Sequence, residues 1–373
     1  MIVAFSLLLV LLCYSYLFFP FILAVLRPFL SRPRVQDRVE PYVSIVLSAF
    51  NEESVIRQKI DNSLNLDYPA DRLEILVSSD GSTDRTNEII SSIEDQRIRF
   101  YPFLQRSGKT SCLNKMVPAA KGEIILFTDA NSILPSSVLK NIVRNFSDQE
   151  VGLVTGWTRY GSPSGTEGAV GGYARYERML KELESDIGSC VGADGAIFAI
   201  RKELYRTLRD DDINDFIIPL SIIRQRKRVV LDPDVYCFEE ATQSTDDEYK
   251  RQVRITARTL LAIRRNMDML NPLEFGMFSF FVFSHKVMRF LTPIIFWGVY
   301  LFNVFLFRRC LLFKMIFLGE NIFLMSALAG NFPRLRNRFL KFSNMLMTTF
   351  LAQCSGWIRT LKGSDDTTWT PQR

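Results

Sequence analysis

The sequence predicts an α/β fold: an open, mostly parallel sheet with helices between its strands, and transmembrane helices towards both ends of the chain. Three observations point there. Residues 1–26 hold no charged side chain, short β-branched runs alternate with amphipathic stretches from Val43, and the chain turns apolar again from Phe275. With 373 residues, 47% of them hydrophobic, the chain can form one domain of about 250 residues with material left over.

The elements follow in order. Residues 1–26, rising about 1.5 Å each in a helix, are long enough to cross a hydrocarbon core of about 30 Å. No basic residue precedes this run and no small-x-small cleavage site follows it, so a retained anchor over 1–27 is expected rather than a cleaved signal peptide. Arg27, Arg32, Arg34 and Arg38 come next, and a positive flank predicts that the following domain stays in the cytoplasm.

Residues 43–47, 73–79 and 123–128 read as buried strands, and 52–64, 84–93, 110–120 and 136–146 as helices. This βαβ pattern predicts a domain over 40–265 with a mostly parallel sheet, in which ligands bind beyond the carboxyl ends of the strands. Beyond 275, uncharged stretches at 290–307 and 342–358, and one at 315–332 interrupted by Glu320, form a membrane region over 290–360. At least two of them are expected to span. Residues 272–289, ending in His285, Lys286 and Arg289, are expected to form an interfacial helix, and 361–373 a tail. Together these features place the chain in the plasma membrane as a multi-pass protein.

Composition narrows the chemistry. His285 is the only histidine, which excludes mechanisms that need a histidine pair and leaves carboxylates as candidate bases. Cys13, Cys112, Cys190, Cys237, Cys310 and Cys354 form no Cys-x-x-Cys pair, so neither a zinc site nor a disulfide framework is indicated. The net charge of +6 suits a surface held against anionic lipid. No basic stripe interleaved with aromatics argues for nucleic acid.

The loops after the strands are polar: Ala49-Phe50-Asn51-Glu52-Glu53, Asp80-Gly81-Ser82-Thr83-Asp84 and Asp129-Ala130-Asn131. Asp80 at a strand tip suits the imide hydrogen of uracil or a ribose hydroxyl; the same residues also suit a turn and a helix cap at Ser82 or Thr83. Asp129 and Asn131 carry oxygen donors for a hard divalent cation on a diphosphate, or equally form a turn with an Asx cap. In the acidic run 210–215, most aspartates read as solvated loop. Asp215, against the apolar stretch 216–223, is the one whose pKa burial can raise enough for a base. Arg251 and Arg254 share a helix face, continued by Arg258, able to clamp phosphate oxygens or simply to flank a membrane.

With Gly108-Lys109, Asn114, Gly192-Ala193-Asp194-Gly195-Ala196, Asn214-Asp215-Phe216 and Arg251-Gln252-Val253-Arg254, these motifs resemble glycosyltransferase family 2. The resemblance is to its membrane-integrated branch related to cellulose and hyaluronan synthases, and covers roughly residues 43–262. It implies a GT-A type fold and transfer of a sugar, with inversion, from a nucleotide-diphosphate donor of the UDP-sugar type to a lipid-linked or glycan acceptor at the membrane. It implies a donor site of Ala49, Asn51, Glu52, Asp80, Lys109, Asp129, Arg251 and Arg254, with Mg²⁺ or Mn²⁺ on Asp129 and Asn131. Asp215 would be the general base, with Asp194 and Gly195 near the acceptor, and Trp369-Thr370-Pro371 resembles the tail of such proteins.

Two departures stand out. Asn131 replaces a second aspartate, which predicts weaker metal binding, and Ile255 follows Arg254 where processive synthases typically carry Trp. Alternatives are a processive synthase that secretes its own polymer, a silent nucleotide-sugar-binding scaffold, and a nucleotidyltransferase. The last lacks support in a Gly-rich phosphate loop after the first strand.

Overall fold

The computed structural model describes residues 1–161, 169–240, 245–332 and 337–363. The tail motif at 369–371 lies outside them. The chain divides into a sheet unit, Leu26–Ala241, and a helical unit in which Met1–Val25 joins Thr242–Ser364.

Among the described residues the sheet unit has seven strands: β1 (Val43–Ala49), β2 (Leu73–Asp80), β3 (Ile98–Phe103), β4 (Ile124–Thr128), β5 (Val151–Tyr160), β6 (Ile197–Arg201) and β7 (Arg228–Glu239). Their order is β3-β2-β1-β4-β6-β5-β7. β1 pairs in parallel with β2 and β4, β2 with β3, and β5 with β7, while β6 runs antiparallel to both β4 and β5. The expected mostly parallel sheet is what forms.

β1, β2 and β4 are buried along their whole length, as strands covered on both faces must be, and so read as near-continuous apolar runs. Ile45, Leu47, Ile75, Val77 and Leu126 join Ile56, Ile60, Leu139 and Ile142 in one core, each side chain worth about 1.5–3 kcal/mol when fully buried. Register aligns the strand ends, with Ala49 opposite Ser79 and Leu47 opposite Thr128, so three loops leave the sheet at one edge.

Helices Ile56–Leu64, Thr86–Ser91, Lys109–Ala119 and Val138–Val143 fall within the expected segments, within a residue at Lys109, though most are shorter. The strand β3 lies outside them: Arg99 and Pro102 mask it, and its half-buried position at the sheet edge tolerates both.

In the helical unit, three helices among the described residues are long and apolar enough to cross a membrane: Ile2–Leu30, which runs on past the unit boundary, Met277–Leu306 and Leu311–Ala329. Leu7, Leu17, Leu311, Met315 and Ile322 remain exposed on them, an apolar outer surface suited to lipid. Phe5, Val299, Leu306 and Phe313 pack together between them. Residues 272–289, the expected interfacial helix, hold the short helix Pro272–Phe275 and the start of a longer helical run. After a break at Gly276, the chain continues through a π-helical segment, Val282–Val287, into Met288–Leu306 as one helical run, because the apolar stretches on either side of His285 and Lys286 join without a breaker. The stretch 342–358 lies within helix Arg338–Lys362, which is not among the three and packs along Thr245–Arg265: Tyr249 OH and Ser355 Oγ are 2.7 Å apart.

Candidate active site

Local folding joins the first two loops. Asn51 takes φ 51°, a conformation Asn tolerates better than most residues. Its N–H donates to Ser82 Oγ at 3.1 Å and its Oδ1 accepts from Thr83 N–H at 2.8 Å. Glu52 is 1% exposed and its N–H donates to Thr86 Oγ1 at 2.8 Å. Glu53 N–H donates to Asp84 Oδ2, and Glu53 Oε2 accepts from Arg85 N–H. Asp84, rather than Ser82 or Thr83, supports the start of the next helix by accepting from Thr86 N–H at 3.0 Å. Burial pushes the Asp84 carboxyl up, but the hydrogen bonds from Thr86 and Glu53 outweigh it and hold it below the ordinary value.

Asp80 ties in a third segment. It is 4% exposed, and its two oxygens accept from the backbone N–H groups of Ser107 at 2.7 Å and Gly108 at 2.8 Å. In the structure this carboxylate fastens the 105–108 loop. Gly81, at φ 71°, lies so close to that loop that a Cβ would stand 2.9 Å from Arg106 N. The Arg106 guanidinium in turn lies over the Phe50 ring, 3.7 Å from its centroid. Ala49 is buried at the end of β1 beneath these loops.

Lys109, the first residue of its helix, donates from Nζ to Asp129 Oδ1 at 2.6 Å. Burial lowers its pKa, but the charge and hydrogen bond of Asp129, joined by the charges of Asp215 and Glu239, raise it above the ordinary value overall. One ammonium thus faces carboxylates from the ends of β4 and β7 and from the first turn of helix Asn214–Arg224.

The chain also brings Gly192–Ala196 against Asp215, twenty residues downstream. Ala193 N–H donates to the Asp215 carbonyl at 2.7 Å, and a Cβ on Gly195 would stand 3.1 Å from Asp215 Oδ2. Asp194 shapes this turn, its carboxylate accepting from Thr158 N–H and Oγ1 at 2.9 Å and from Ala196 N–H at 3.1 Å. Elsewhere in the acidic run, Asp212 accepts from Arg209 N–H, and Asp211 lies 4.0 Å from Arg209. These are loop contacts, but the loop is less solvated than expected: Asp212 is buried and Asp211 largely so, while Asp210 is exposed.

Among the described residues no group of three or more His, Cys, Asp or Glu side chains could hold a metal. Asp129 and Asn131 do share a turn at the end of β4, and two hard oxygen donors suit a cation whose remaining ligands are phosphate oxygens and water. The donor chemistry therefore fits Mg²⁺ or Mn²⁺. Arg251 and Arg254 belong to helix Thr245–Arg265 of the helical unit, where the Arg251 guanidinium meets Glu248 at 2.8 and 3.0 Å.

Sequence reading missed two residues. Glu239 accepts from Ser132 Oγ at 2.9 Å, and Lys59 is wholly buried. The available signal was the position of Lys59 on the same helix face as Ile56, Ile60 and Ser63, where a charge is out of place.

An open α/β sheet whose carboxylates gather at its carboxyl edge defines the class: a GT-A type fold. The mannosyltransferase PcManGT from Pyrobaculum calidifontis, solved in complex with GDP-Man and Mn²⁺, shares this fold at TM-score 0.75 and 18% identity, over 97% of this chain and 100% of that one. Residues 44–209, somewhat under half of the chain, match the model of glycosyl transferase family 2.

Curated relatives match over shorter stretches. Beta-monoglucosyldiacylglycerol synthase of Nostoc sp. is 36% identical over 133 residues, 33% of this chain and 28% of that protein. Poly-beta-1,6-N-acetyl-D-glucosamine synthase of Staphylococcus aureus is 24% identical over 220 residues, 57% of this chain and 53% of that protein.

Proposed function

We propose that this chain is a membrane-bound inverting glycosyltransferase that moves a sugar from a nucleotide-diphosphate donor, of the UDP-sugar type, to a lipid-linked or polysaccharide acceptor. The observation that carries the reading is the ammonium of Lys109, which pairs with Asp129 inside the family 2 match and feels the charges of Asp215 and Glu239 just beyond it. The loops joined by Asn51 and Asp80 bind the nucleotide, and Lys109 meets the diphosphate. Asp129 and Asn131 would hold Mg²⁺ or Mn²⁺, which when bound would supply positive charge to offset that of the leaving diphosphate.

Asp215 accepts the proton of the acceptor hydroxyl as its oxygen bonds to the anomeric carbon. The bond from that carbon to the diphosphate breaks on the opposite face, which inverts the centre. The Nostoc and Staphylococcus relatives, named for a glycolipid and a glycan product, support the acceptor class. The three apolar helices support a multi-pass placement, and Arg27, Arg32, Arg34 and Arg38 favour a cytoplasmic sheet unit at the plasma membrane. Ile255, in place of Trp, favours single addition over processive synthesis.

The test is to incubate detergent-solubilised protein with a panel of UDP- and GDP-sugars and Mn²⁺ or Mg²⁺, measuring released nucleoside diphosphate and melting temperature. Turnover of one donor is expected. Neither turnover nor a thermal shift with any donor sinks the reading, and a thermal shift that no acceptor converts into turnover favours a silent nucleotide-sugar-binding scaffold.

A further inference from the structure

Lys59 is 0% exposed within the core beneath the site. A buried ammonium is expensive unless hydrogen-bonded, and Lys59 uses Nζ to donate to Thr128 Oγ1 at 2.8 Å and to the Ser132 carbonyl at 2.6 Å. Those two residues bracket Asp129-Ala130-Asn131. Ser132 also donates from Oγ to Glu239 Oε1, and Ile133 exchanges backbone hydrogen bonds with Phe238 of β7, both at 2.9 Å. The turn is thus held from below by Lys59 and from the side by β7.

An apolar side chain of similar length would fill the same space without desolvating a charge, and such replacements of buried ions are often neutral or stabilising. Fold stability alone therefore does not account for an ammonium here. Burial drives it down to about 8, against the pull of the Cys237, Asp129 and Glu239 side chains.

We propose that Lys59 is a positioning residue, tying both ends of the 128–132 turn so that Asp129 and Asn131 are held in the geometry that the reaction needs. It acts through that turn and touches no substrate. The proposal rests on the transferase reading above and names what orients its metal- and phosphate-facing turn.

The experiment compares wild type with Lys59→Met and with the milder Thr128→Val, which removes one acceptor at nearly constant volume. Backbone hydrogen exchange is read over the whole sheet unit, and kcat and KM are measured for the donor that wild type turns over. In Lys59→Met, exchange at residues 129–133 accelerates about tenfold while β2 and β3 keep their protection. Its kcat falls about tenfold with donor KM changed by less than about threefold, as a misplaced group predicts. Thr128→Val shows the same pattern at about threefold.

Local loosening with unchanged kcat in both variants overturns the proposal and leaves Lys59 a structural residue. Uniform loss of protection, or no change at 129–133, overturns it too. If Lys59→Met does not fold, Thr128→Val decides alone. Failure of wild type to turn over any donor refutes the transferase reading instead, and the exchange data still show whether Lys59 holds the turn.

Discussion

Replacing Gly195 with alanine separates stability from activity. Its Cβ would stand 3.1 Å from Asp215 Oδ2, 3.6 Å from Cγ and 3.8 Å from Cβ. A carbon–oxygen contact settles nearer 3.4 Å, so the carboxylate must withdraw by about 0.3 Å, within the tolerance of a core but a large part of the margin allowed at a reacting centre. Since a 1 Å misplacement costs about 100-fold in rate, this shift predicts a loss in kcat of roughly three- to tenfold.

Gly195 is not among the glycines with positive φ, so alanine suits the backbone and restricts the unfolded chain, a gain of about 0.4–1 kcal/mol that offsets the tight contact. Melting temperature should therefore hold or rise slightly while kcat falls. The assay is nucleoside diphosphate release with saturating donor, beside thermal unfolding in the same detergent. Full kcat with unchanged melting temperature refutes the claim that Asp215 is used where the structure places it. A marked fall in both refutes the steric reasoning.

Gly81→Ala forces an L-residue to φ 71° against Arg106 N; it should lose about 1–2 kcal/mol, read as a lower melting temperature, and raise donor KM as the 105–108 loop retreats. Asn131→Asp adds a charged oxygen donor and should lower the Mn²⁺ concentration for half-maximal turnover by about five- to tenfold, checked by metal titration after chelation. Lys59 has a folded pKa of about 8 against an ordinary 10.5. Below pH 8 it is charged in both folded and unfolded chains and its desolvation penalty is complete; between 8 and 10.5 the unfolded chain binds more proton, so rising pH relieves the penalty. The stability of wild type relative to Lys59→Met should thus increase with pH, by at most about 3 kcal/mol, in paired denaturant titrations.

β1, β2 and β4 were legible because strands buried on both faces become continuous apolar runs between turn residues. β3 was hidden by Arg99 and Pro102, which an edge strand accommodates. The polar loops after β1, β2 and β4 could be assigned to one edge from topology alone, and register places them there. Contacts that depend on chain reversal could not be read: Gly195 against Asp215, Ser132 with Glu239, and Lys59 under the 128–132 turn are tertiary juxtapositions with no local periodicity. Asp80 shows the converse. Its place at a strand tip was readable, but its bonds to Ser107 and Gly108 depend on a loop 27 and 28 residues away. In the helical unit, charge at His285, Lys286 and Arg289 suggested a boundary, yet the π-helical segment carries the helix through it.

The most direct test of the central claim compares wild type with Asp215→Asn on the donor that wild type turns over, with donor affinity measured by equilibrium titration. Loss of the base should lower kcat by about a thousandfold or more with donor affinity within about threefold, because in the proposed mechanism Asp215 meets the acceptor rather than the nucleotide. Turnover retained within about tenfold, in a folded variant that binds donor normally, would contradict the assignment of Asp215 as the base and with it the proposed mechanism.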